Sequence, residues 1–587
     1  MEAHDTDFLE LLNGNKQFAV PIFQRRYSWK KKHCEKLWND ILSLGQNTTN
    51  QFHFIGPIVY IDPKVNNASK VRELQVIDGQ QRLTTLTLLL AALSRAVEEQ
   101  GIDIGITPEE LSDYYLNVRR NDELRYKQLL TQHDKNTLIQ LLDGNNKEWF
   151  RIVEQDAAGT LVQLVVDEEL PANAAPRLIE NYRFFETELK NADLKVVYAG
   201  IQRLRIVDIV LDRPDDNPQL IFESLNSTGL ELSEADLIRN YVLMGQKPSF
   251  QNRLYEIYWF PMEQRFGDQD AGRFDEFIRD YLTLKTRQIP NIRNVYDSFK
   301  RYVQEKTNSE TSETIETIVV DISRYSKHYV CIALGKEKDA ELLGCFSSIN
   351  TLEVTVAYPF LLEVYEDYKR KLIEKSELIE ILQLVESYVF RRAICDIPTN
   401  SLNRTFAGRL MPKVNKSNYL ESLKEAFLSL VNQSDRYRYP VNSEFKQEFL
   451  VKGVYNNLRR CRYLLRKLEN YERRHPHSCL DQSIEHVIPQ NPDLCEEWQR
   501  ELGENWREIR EKYLHTIGNL TLIGWKDNPA LSDLSFQEKQ KAKGGFCESE
   551  LHLNRSLCRA KQWNEKSVLT RAEELAEKAI KIWIYPE

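Results

Sequence analysis

Residues 74–93 read LQVIDGQQRLTTLTLLLAAL, and this stretch decides how the first part of the chain folds. The short apolar run Leu74–Ile77 predicts a β-strand that stops at Asp78-Gly79. From Thr84 onward, apolar residues recur at helical spacing at Leu86, Leu89, Leu90, Leu93 and Val97. The pattern predicts a strand, a glycine turn and a long helix in succession.

The turn DGQQR at residues 78–82 has the chemistry of a phosphate site. Gly79 lets the backbone approach a ligand closely, and the free N–H groups of a helix N-terminus suit phosphate. Arg82 can donate two hydrogen bonds to a phosphate, whereas Gln80 and Gln81 can donate to oxygens or read a base edge. An ordinary capped turn before a helix is the alternative. No GxxxxGK[ST] motif occurs, which excludes a P-loop NTPase.

Upstream, VPIFQRRYSW at residues 20–29 places two arginines beside several aromatic rings. Arginine side chains can bind the phosphates of a nucleotide and aromatic rings can stack on its base, so this mixture of residues favours nucleotide binding. The alternative is a pair of arginines exposed to solvent. The candidate nucleotide-binding residues are Gln24, Arg25, Arg26, Asp78, Gly79, Gln80, Gln81, Arg82 and Thr84.

Composition limits the class of protein. A chain of 587 residues that is 42% hydrophobic has material for several packed cores, which excludes a mainly disordered protein. We find no apolar run long enough to span a membrane and no signal peptide at the N-terminus, so we expect a soluble cytoplasmic protein. The net charge of −9 excludes a generic polyanion binder, so any nucleic-acid surface must be local.

The nine cysteines include no CxxC pair, and we expect free thiols in a reducing compartment. A zinc site from Cys479, Cys495, Cys547 and Cys558 is the alternative.

We predict an α+β protein of three parts. Residues 1–245 form a mixed α/β nucleotide-binding domain with a helical insertion at about 101–190, and Leu204–Leu211 is a second strand-rich stretch, with a less regular alternation. Residues 246–430 form a mostly helical middle domain. Residues 431–587 form a nuclease domain with surrounding helices.

The nuclease prediction rests on QSIEHVIPQ at 482–490 and HTIGNLTLI at 515–523, followed by Asp527-Asn528-Pro529. The predicted order of strand, loop, strand and helix matches the ββα-metal (HNH) nuclease fold. Phosphodiester hydrolysis needs an activated water, and His486 can accept its proton. Asn519 could hold the loop that orients His486.

A divalent cation would neutralise charge on the phosphate, and oxygen ligands suit Mg²⁺ or Mn²⁺. Glu485 and Asn528 are the predicted ligands, with Asp481 as the alternative because adjacent strand residues point to opposite faces. A surface or capping His–Glu pair and ordinary turn chemistry are the structural alternatives.

A basic amphipathic helix within residues 452–474 precedes this motif. It predicts a track that contacts DNA phosphates, although a solvated charged face is the alternative. The candidate DNA-binding residues are Arg459, Arg460, Arg462, Arg466 and, further along, Lys539.

The segments at 20–29, 76–86 and 221–240 together resemble the N-terminal domain of the GmrSD family of modification-dependent (type IV) restriction enzymes. The EHVIPQN, GNLTL and Asn528 motifs resemble the family's C-terminal nuclease domain, and the length fits fused, BrxU-like members. The resemblance implies a ParB-like N-terminal fold that binds and hydrolyses ATP or GTP. It also adds Asn226 as a weaker candidate and Ser233 as a helix N-cap.

We therefore expect an NTP-regulated, metal-dependent endonuclease that cuts double-stranded DNA carrying hydroxymethylated or glucosylated cytosine in anti-phage defence. The alternatives are a nucleotide-sensing DNA-binding regulator with an inactive nuclease fold, or a nuclease directed at phosphorothioate-linked DNA. No membrane partner is expected, and a homodimer is left open.

Overall fold

The computed structural model describes residues 2–47, 52–62, 71–117, 122–144, 150–155, 161–166, 175–211, 219, 221, 223, 232–267, 271–308, 313–432 and 434–586. The chain divides into two compact units, Met1–Pro261 and Met262–Glu587. The three-part division made from the sequence stays a prediction.

The strands, in chain order, are β1 Glu2–Asp7, β2 Lys16–Ala19, β3 His53–Ile61, β4 Arg72–Asp78, β5 Gln128–Leu129, β6 Phe150–Gln155, β7 Leu161–Val166, β8 Leu204–Leu211, β9 Gln482–His486 and β10 Leu520–Gly524. The helices are α1 Phe8–Leu12, α2 Lys31–Gln46, α3 Gln80–Gln100, α4 Pro108–Ser112, α5 Gln132–Asp143, α6 Pro176–Asn191, α7 Leu194–Ile201, α8 Glu234–Leu243, α9 Pro248–Leu254, α10 Phe260–Phe266, α11 Ala271–Thr286, α12 Val295–Thr307, α13 Ile315–Ala333, α14 Ala340–Thr351, α15 Tyr358–Lys369, α16 Lys375–Ile394, α17 Leu402–Arg404, α18 Tyr419–Leu428, α19 Asn442–Val451, α20 Leu458–Asn470, α21 Glu496–Leu502, α22 Trp506–Tyr513, α23 Asn528–Leu531, α24 Phe536–Lys541, α25 Arg555–Arg559 and α26 Glu565–Ile582.

The first unit is built on a mixed sheet with strand order β1-β8-β3-β4-β2-β5. The predicted strand at Leu74–Ile77 is part of β4, and the predicted strand Leu204–Leu211 is β8, which pairs with β3 in parallel. The region at 101–190 is not wholly helical, because β5 joins the sheet beside β2 and β6 pairs with β7 as a hairpin. Of these three strands, β5 has only two residues, which is too short to show any alternation in the sequence.

Helix α3 is the central element of the first unit. It begins at Gln80, about one turn before the position that its leucine spacing predicts, because Gly79 in the left-handed conformation (φ 90°) lets the chain turn directly from β4. A Cβ at Gly79 would lie 2.9 Å from the carbonyl oxygen of Pro57. The leucines of α3 are buried, so its packing fixes where the DGQQR turn lies.

The second unit is mostly helical, as predicted for 246–430, and ends in a small α+β region. Strands β9 and β10 form an antiparallel hairpin, and helices α23 and α24 follow it. Apolar residues of β10 (Leu520, Leu522) pack in a cluster with α20 and α26, while Ile523 packs in a second cluster with Trp498 and Phe536. The hairpin is therefore held between two cores.

One guanidinium group in the interior of this unit, that of Arg571, binds backbone carbonyl oxygens. Arg571 of α26 donates to the carbonyl oxygens of Ile517, Gly518 and Leu520. Burial lowers the pKa of Arg571 to about 10. These bonds hold the chain that leads into β10, where a 3₁₀ turn spans Ile517–Asn519.

The prediction that all nine cysteines are free thiols is wrong for two of them. Cys547 and Cys558 form a disulfide, so they are not free thiols, and two of the four proposed zinc ligands bond to each other. No helix in the described part of the chain is long and apolar enough to cross a membrane.

Candidate functional site

His486 ends strand β9, opposite Leu520 of β10. Its side chain is buried, at 5% exposure, and its ring meets the ring of Tyr455 edge-on with centroids 4.5 Å apart. Gln490 Nε2 donates to His486 Nε2 at 3.2 Å, which makes Nε2 the unprotonated nitrogen, whose lone pair accepts this hydrogen bond. His486 is therefore held in the tautomer that accepts a proton at Nε2.

His515 is a second histidine at the same place. Its Nδ1 lies 3.2 Å from His486 Nε2, and its ring stacks on Tyr455 with centroids 5.2 Å apart. The sequence placed His515 at the head of the 515–523 motif but gave it no role, and Tyr455 was predicted only as an apolar residue of the basic helix. Only the fold brings the three rings together.

The pKa of His486 is lowered to about 3. Burial is the main cause, and His515, Lys539 and Arg510 add unfavourable positive charge. Burial also lowers the pKa of His515, with Arg510 contributing. Both imidazoles are therefore neutral at physiological pH, as a general base requires.

Glu485 points away from this cluster, because neighbouring strand residues alternate between faces. Its Oε1 accepts a hydrogen bond of 2.6 Å from Lys539 Nζ, and both side chains are buried. Lys539 Nζ also donates to the carbonyl oxygen of His486 at 2.8 Å. Burial raises the pKa of Glu485 and lowers that of Lys539, while the ion pair opposes both shifts.

Lys539 was predicted to contact a DNA phosphate. Its side chain has 0% exposure, so it offers no cation to a surface ligand in this structure. The physical reason is that helix α24 turns Lys539 inward onto Glu485, which the sequence spacing of 54 residues did not reveal.

Asn519 lies where the loop-fixing role requires it. Its Oδ1 accepts from the backbone N–H of Ile488 at 2.8 Å, and its Nδ2 donates to the carbonyl oxygens of Ile488 and Leu514. The backbone N–H of Val487 also donates to Asn519 O. Fully buried, Asn519 fixes the two residues that follow His486.

Asn528 begins helix α23, as predicted, and binds β9 two to three residues before His486. Its Nδ2 donates to Ser483 Oγ at 2.6 Å and to Ile484 O at 3.1 Å. Ser483 and Glu485 share one face of β9, so Asn528 and Glu485 are on the same side of the strand. Asp481 lies further away, at the opposite end of the hairpin, where its carbonyl oxygen accepts from Trp525 N.

The donor types of the two predicted metal ligands suit a hard divalent cation, but their present contacts do not. Glu485 and Asn528 offer carboxylate and amide oxygens, the ligands that Mg²⁺ prefers, with water and substrate completing the shell. Among the described residues, no group of three or more His, Cys, Asp or Glu side chains is arranged to hold a metal ion. A cation at Glu485 would have to displace the ammonium group of Lys539.

The basic helix begins at Leu458, three residues after Tyr455. Arg462 and Arg466 are exposed, and none of the described carboxylates pairs with either. Arg459 instead forms an ion pair with Glu353 and donates to Asn350 O at 3.1 Å. Arg460 is half-buried, and burial lowers its pKa. Among the described residues, Arg462 and Arg466 are therefore the two predicted arginines that are both exposed and without a carboxylate partner.

In the first unit, the DGQQR side chains hold the segment that carries Arg25 and Arg26. Gln80 Nε2 donates to Arg25 O at 2.8 Å, and Gln81 Nε2 donates to Arg26 O at 3.1 Å. Gln24 Nε2 donates to Ile77 O at 2.7 Å from the other side. The glutamines are therefore used for positioning rather than left free to read a base.

Arg82 and Thr84 are also engaged within the fold. Arg82 Nη2 donates to Pro57 O and to Asp78 Oδ2, the latter at 3.2 Å. Thr84 Oγ1 donates to Gln80 O and accepts from Gln128 Nε2, both at 2.8 Å. Gly79 and Asp78 therefore form a fixed corner, and among the described residues no hydrogen bond engages the side chain of Arg25 or Arg26.

Helix α8 completes this region and was not among the predicted site residues, apart from its N-cap. Ser233 Oγ accepts from Asp236 N at 3.1 Å, as predicted. Arg239 donates from Nε to Phe23 O at 3.0 Å and from Nη2 to Asp236 Oδ1 at 2.7 Å. Asn226 lies outside the described residues.

The described chain is rich in helices, with a strand–glycine–helix corner in its first unit and a histidine-bearing hairpin in its second. Residues 8–243 match the model of the GmrSD restriction endonuclease N-terminal domain, and residues 439–578 match that of the GmrSD C-terminal domain. The two matches cover more than half of the chain. The chain belongs to the GmrSD family of restriction endonucleases, type IV enzymes that act on modified DNA in phage defence. No curated protein matched the chain significantly.

Proposed function

We propose that this chain is an NTP-regulated, divalent-metal-dependent endonuclease that cleaves DNA containing hydroxymethylated or glucosylated cytosine. The C-terminal site would be of the HNH type and the N-terminal domain ParB-like. The observation that carries the proposal is the neutral imidazole of His486, whose Nε2 lone pair is held by Gln490 beside His515.

His486 would accept the proton of the attacking water. A pKa of about 3 makes it a weak base in the free protein, but the charge of a bound phosphate would raise that value toward neutrality. Asn519 keeps the loop behind His486 fixed, so the imidazole need not reorganise during the reaction.

Glu485 and Asn528 would hold the cation, and because His486 is the last residue of β9, the cation and the imidazole would meet the same phosphate at this end of the strand. The bound cation would neutralise charge on the phosphate oxygens. The ammonium group of Lys539 has to leave Glu485 before the cation binds. Until then it balances the negative charge of the buried carboxylate.

Arg462 and Arg466 would contact DNA phosphates, because both are exposed and unpaired among the described residues, near Tyr455 in the chain. Arg25 and Arg26 would bind the phosphates of ATP or GTP, since the two glutamines of DGQQR hold their backbone.

The test is digestion of matched unmodified, hydroxymethylated and glucosylated DNA, with and without NTP and Mg²⁺. We expect cleavage of a modified substrate only when Mg²⁺ is present, and stimulation by NTP. His486→Ala should lower the rate by about 10²-fold or more. His552→Ala, which changes a histidine away from the cluster, is the matched control.

A second candidate function is a nucleotide-sensing regulator with an inactive nuclease fold. The contact between Lys539 and Glu485 favours it, because Lys539 occupies the predicted metal ligand Glu485. Equal DNA nicking by wild type and His486→Ala would support that candidate. A third candidate function is a nuclease directed at phosphorothioate-linked DNA. Cleavage of that DNA, without cleavage of DNA carrying modified cytosine, would favour it.

A further inference from the structure

Asn240 of α8 is a buried amide whose polar atoms are unused. Its exposure is 1%, and neither Nδ2 nor Oδ1 has a hydrogen-bond partner among the described residues. Buried polar groups are nearly always paired, because losing water without a replacement is costly. An amide with both ends unpaired is therefore expected to have a partner that the described residues do not supply.

The position of Asn240 links it to the N-terminal site. Asp236 precedes it by four residues, so the two share a face of the helix with Arg239. Arg239 donates to Phe23 O, which packs this face against the segment that carries Arg25 and Arg26. Arg25 is within electrostatic reach of Asp236, Arg239 and Asp78.

Arg26 also has buried donor atoms without hydrogen-bond acceptors. Its Nε and Nη2 are buried without a partner in the described part of the chain, and its guanidinium lies 5.1 Å from the ring centroid of Phe260. Arg82 Nε is unpaired as well. Arg26 and Arg82 therefore have unused donors at the DGQQR corner, and Asn240, with its unused amide, is next in the chain to Arg239, which donates to Phe23 O.

The two kinds of group suit different parts of one ligand. A guanidinium carries only donors and suits phosphate, which carries only acceptors. An amide carries a donor and an acceptor side by side. Phosphate would leave Oδ1 of Asn240 unpaired, whereas a nucleobase edge with a neighbouring donor and acceptor satisfies both atoms.

We propose that Asn240 contacts the base of the nucleotide bound at the N-terminal site and sets which base that site accepts. This inference rests on the proposed nucleotide binding. Arg26 then contacts the phosphates, and α8 carries the base-reading group.

The test measures dissociation constants of ATP, GTP, CTP and UTP for the full chain by equilibrium dialysis. Wild type is expected to prefer one base. Asn240→Leu keeps the side-chain size but removes both polar atoms, so it should weaken the preferred NTP roughly tenfold or more, equivalent to one lost hydrogen-bonding group. It should also bring the four affinities together.

Asn240→Asp is the second variant, because it keeps one acceptor and replaces the donor. It should change the ranking of the four bases and thus keeps the test decisive if Asn240→Leu fails to fold. Asn117→Ala is the control: Asn117 is equally buried but donates to Lys16 O and Leu124 O, so this change should lower thermal stability and leave the ranking unchanged.

The outcomes separate the two proposals. If wild type binds none of the four nucleotides, nucleotide binding itself fails. If wild type binds but both Asn240 variants keep its affinities and ranking, Asn240 is only an interior residue and the inference is overturned. In that case Asn240→Leu should raise the melting temperature, since it removes an unpaired amide.

Discussion

Lys539 Nζ lies 2.6 Å from Glu485 Oε1 and 2.8 Å from the carbonyl oxygen of His486, within the interior behind strand β9. One buried cation therefore touches both residues of the Glu485-His486 pair. It compensates the charge of Glu485 and fixes the backbone of His486, which couples the stability of the hairpin to the site.

The first prediction concerns this ion pair. Lys539→Met leaves Glu485 buried without its partner, so the free energy of unfolding should fall by about 3–5 kcal/mol. The double variant Lys539→Met/Glu485→Gln should recover part of that loss, because no uncompensated charge remains. Urea denaturation measures both, and losses that simply add in the double variant would contradict the pairing.

The second prediction concerns acid stability. His486 is neutral in the folded protein down to about pH 3, whereas in the unfolded chain it takes up a proton near 6.5, the ordinary pKa of a histidine. Between these values the unfolded state binds more protons, so this residue lowers the free energy of unfolding as pH falls, by at most about 1.4 kcal/mol per pH unit.

His486→Gln removes that proton uptake. Its free energy of unfolding should therefore decrease less than that of wild type between pH 6.5 and pH 4, as followed by denaturation at each pH. Parallel curves for the two proteins would mean that His486 titrates normally.

The third prediction concerns His515. His515→Phe keeps the stacking on Tyr455 but removes Nδ1, so it should slow cleavage while changing DNA affinity little. If His515 serves His486 as a positioning residue, the pH profile of cleavage should also shift. An unchanged rate and profile would return His515 to a purely packing role.

The fourth prediction concerns the basic helix. Arg462→Ala/Arg466→Ala should weaken DNA binding and reduce the slope of log K against log salt by about 1.8, corresponding to two lost phosphate contacts. Arg459→Ala is the matched control, because its guanidinium already pairs with Glu353. Equal slopes for all three proteins would make this helix a solvated face.

The fifth prediction separates two arginines of the N-terminal site. Arg26→Ala should abolish the NTP response with little loss of stability, because Arg26 has unused donors. Arg82→Ala should lower the melting temperature as well, since Arg82 ties β3 to the DGQQR corner. Thermal denaturation and NTP-dependent cleavage, measured together, distinguish the two effects.

Much of the local structure could be predicted. Leu74–Ile77 and Leu204–Leu211 are strands because apolar β-formers are bounded by turn residues, and Ser233 caps α8 because its hydroxyl accepts a backbone N–H. The start of α3 was placed about one turn too late, since polar Gln80 and Gln81 hid its first turn. The short strand β5 had no periodic signal at all.

Contacts between distant residues could not be read in this way. Motifs along the chain were enough to indicate the two domain families, the order of strand, turn and helix, and the candidates His486 and Asn519, because each depends on neighbouring residues. The contact of Lys539 with Glu485, the rings of His515 and Tyr455 around His486, and the buried amide of Asn240, unpaired among the described residues, became visible in the folded chain alone. Those facts depend on which helix faces pack together, and packing is set by the whole core rather than by any local pattern.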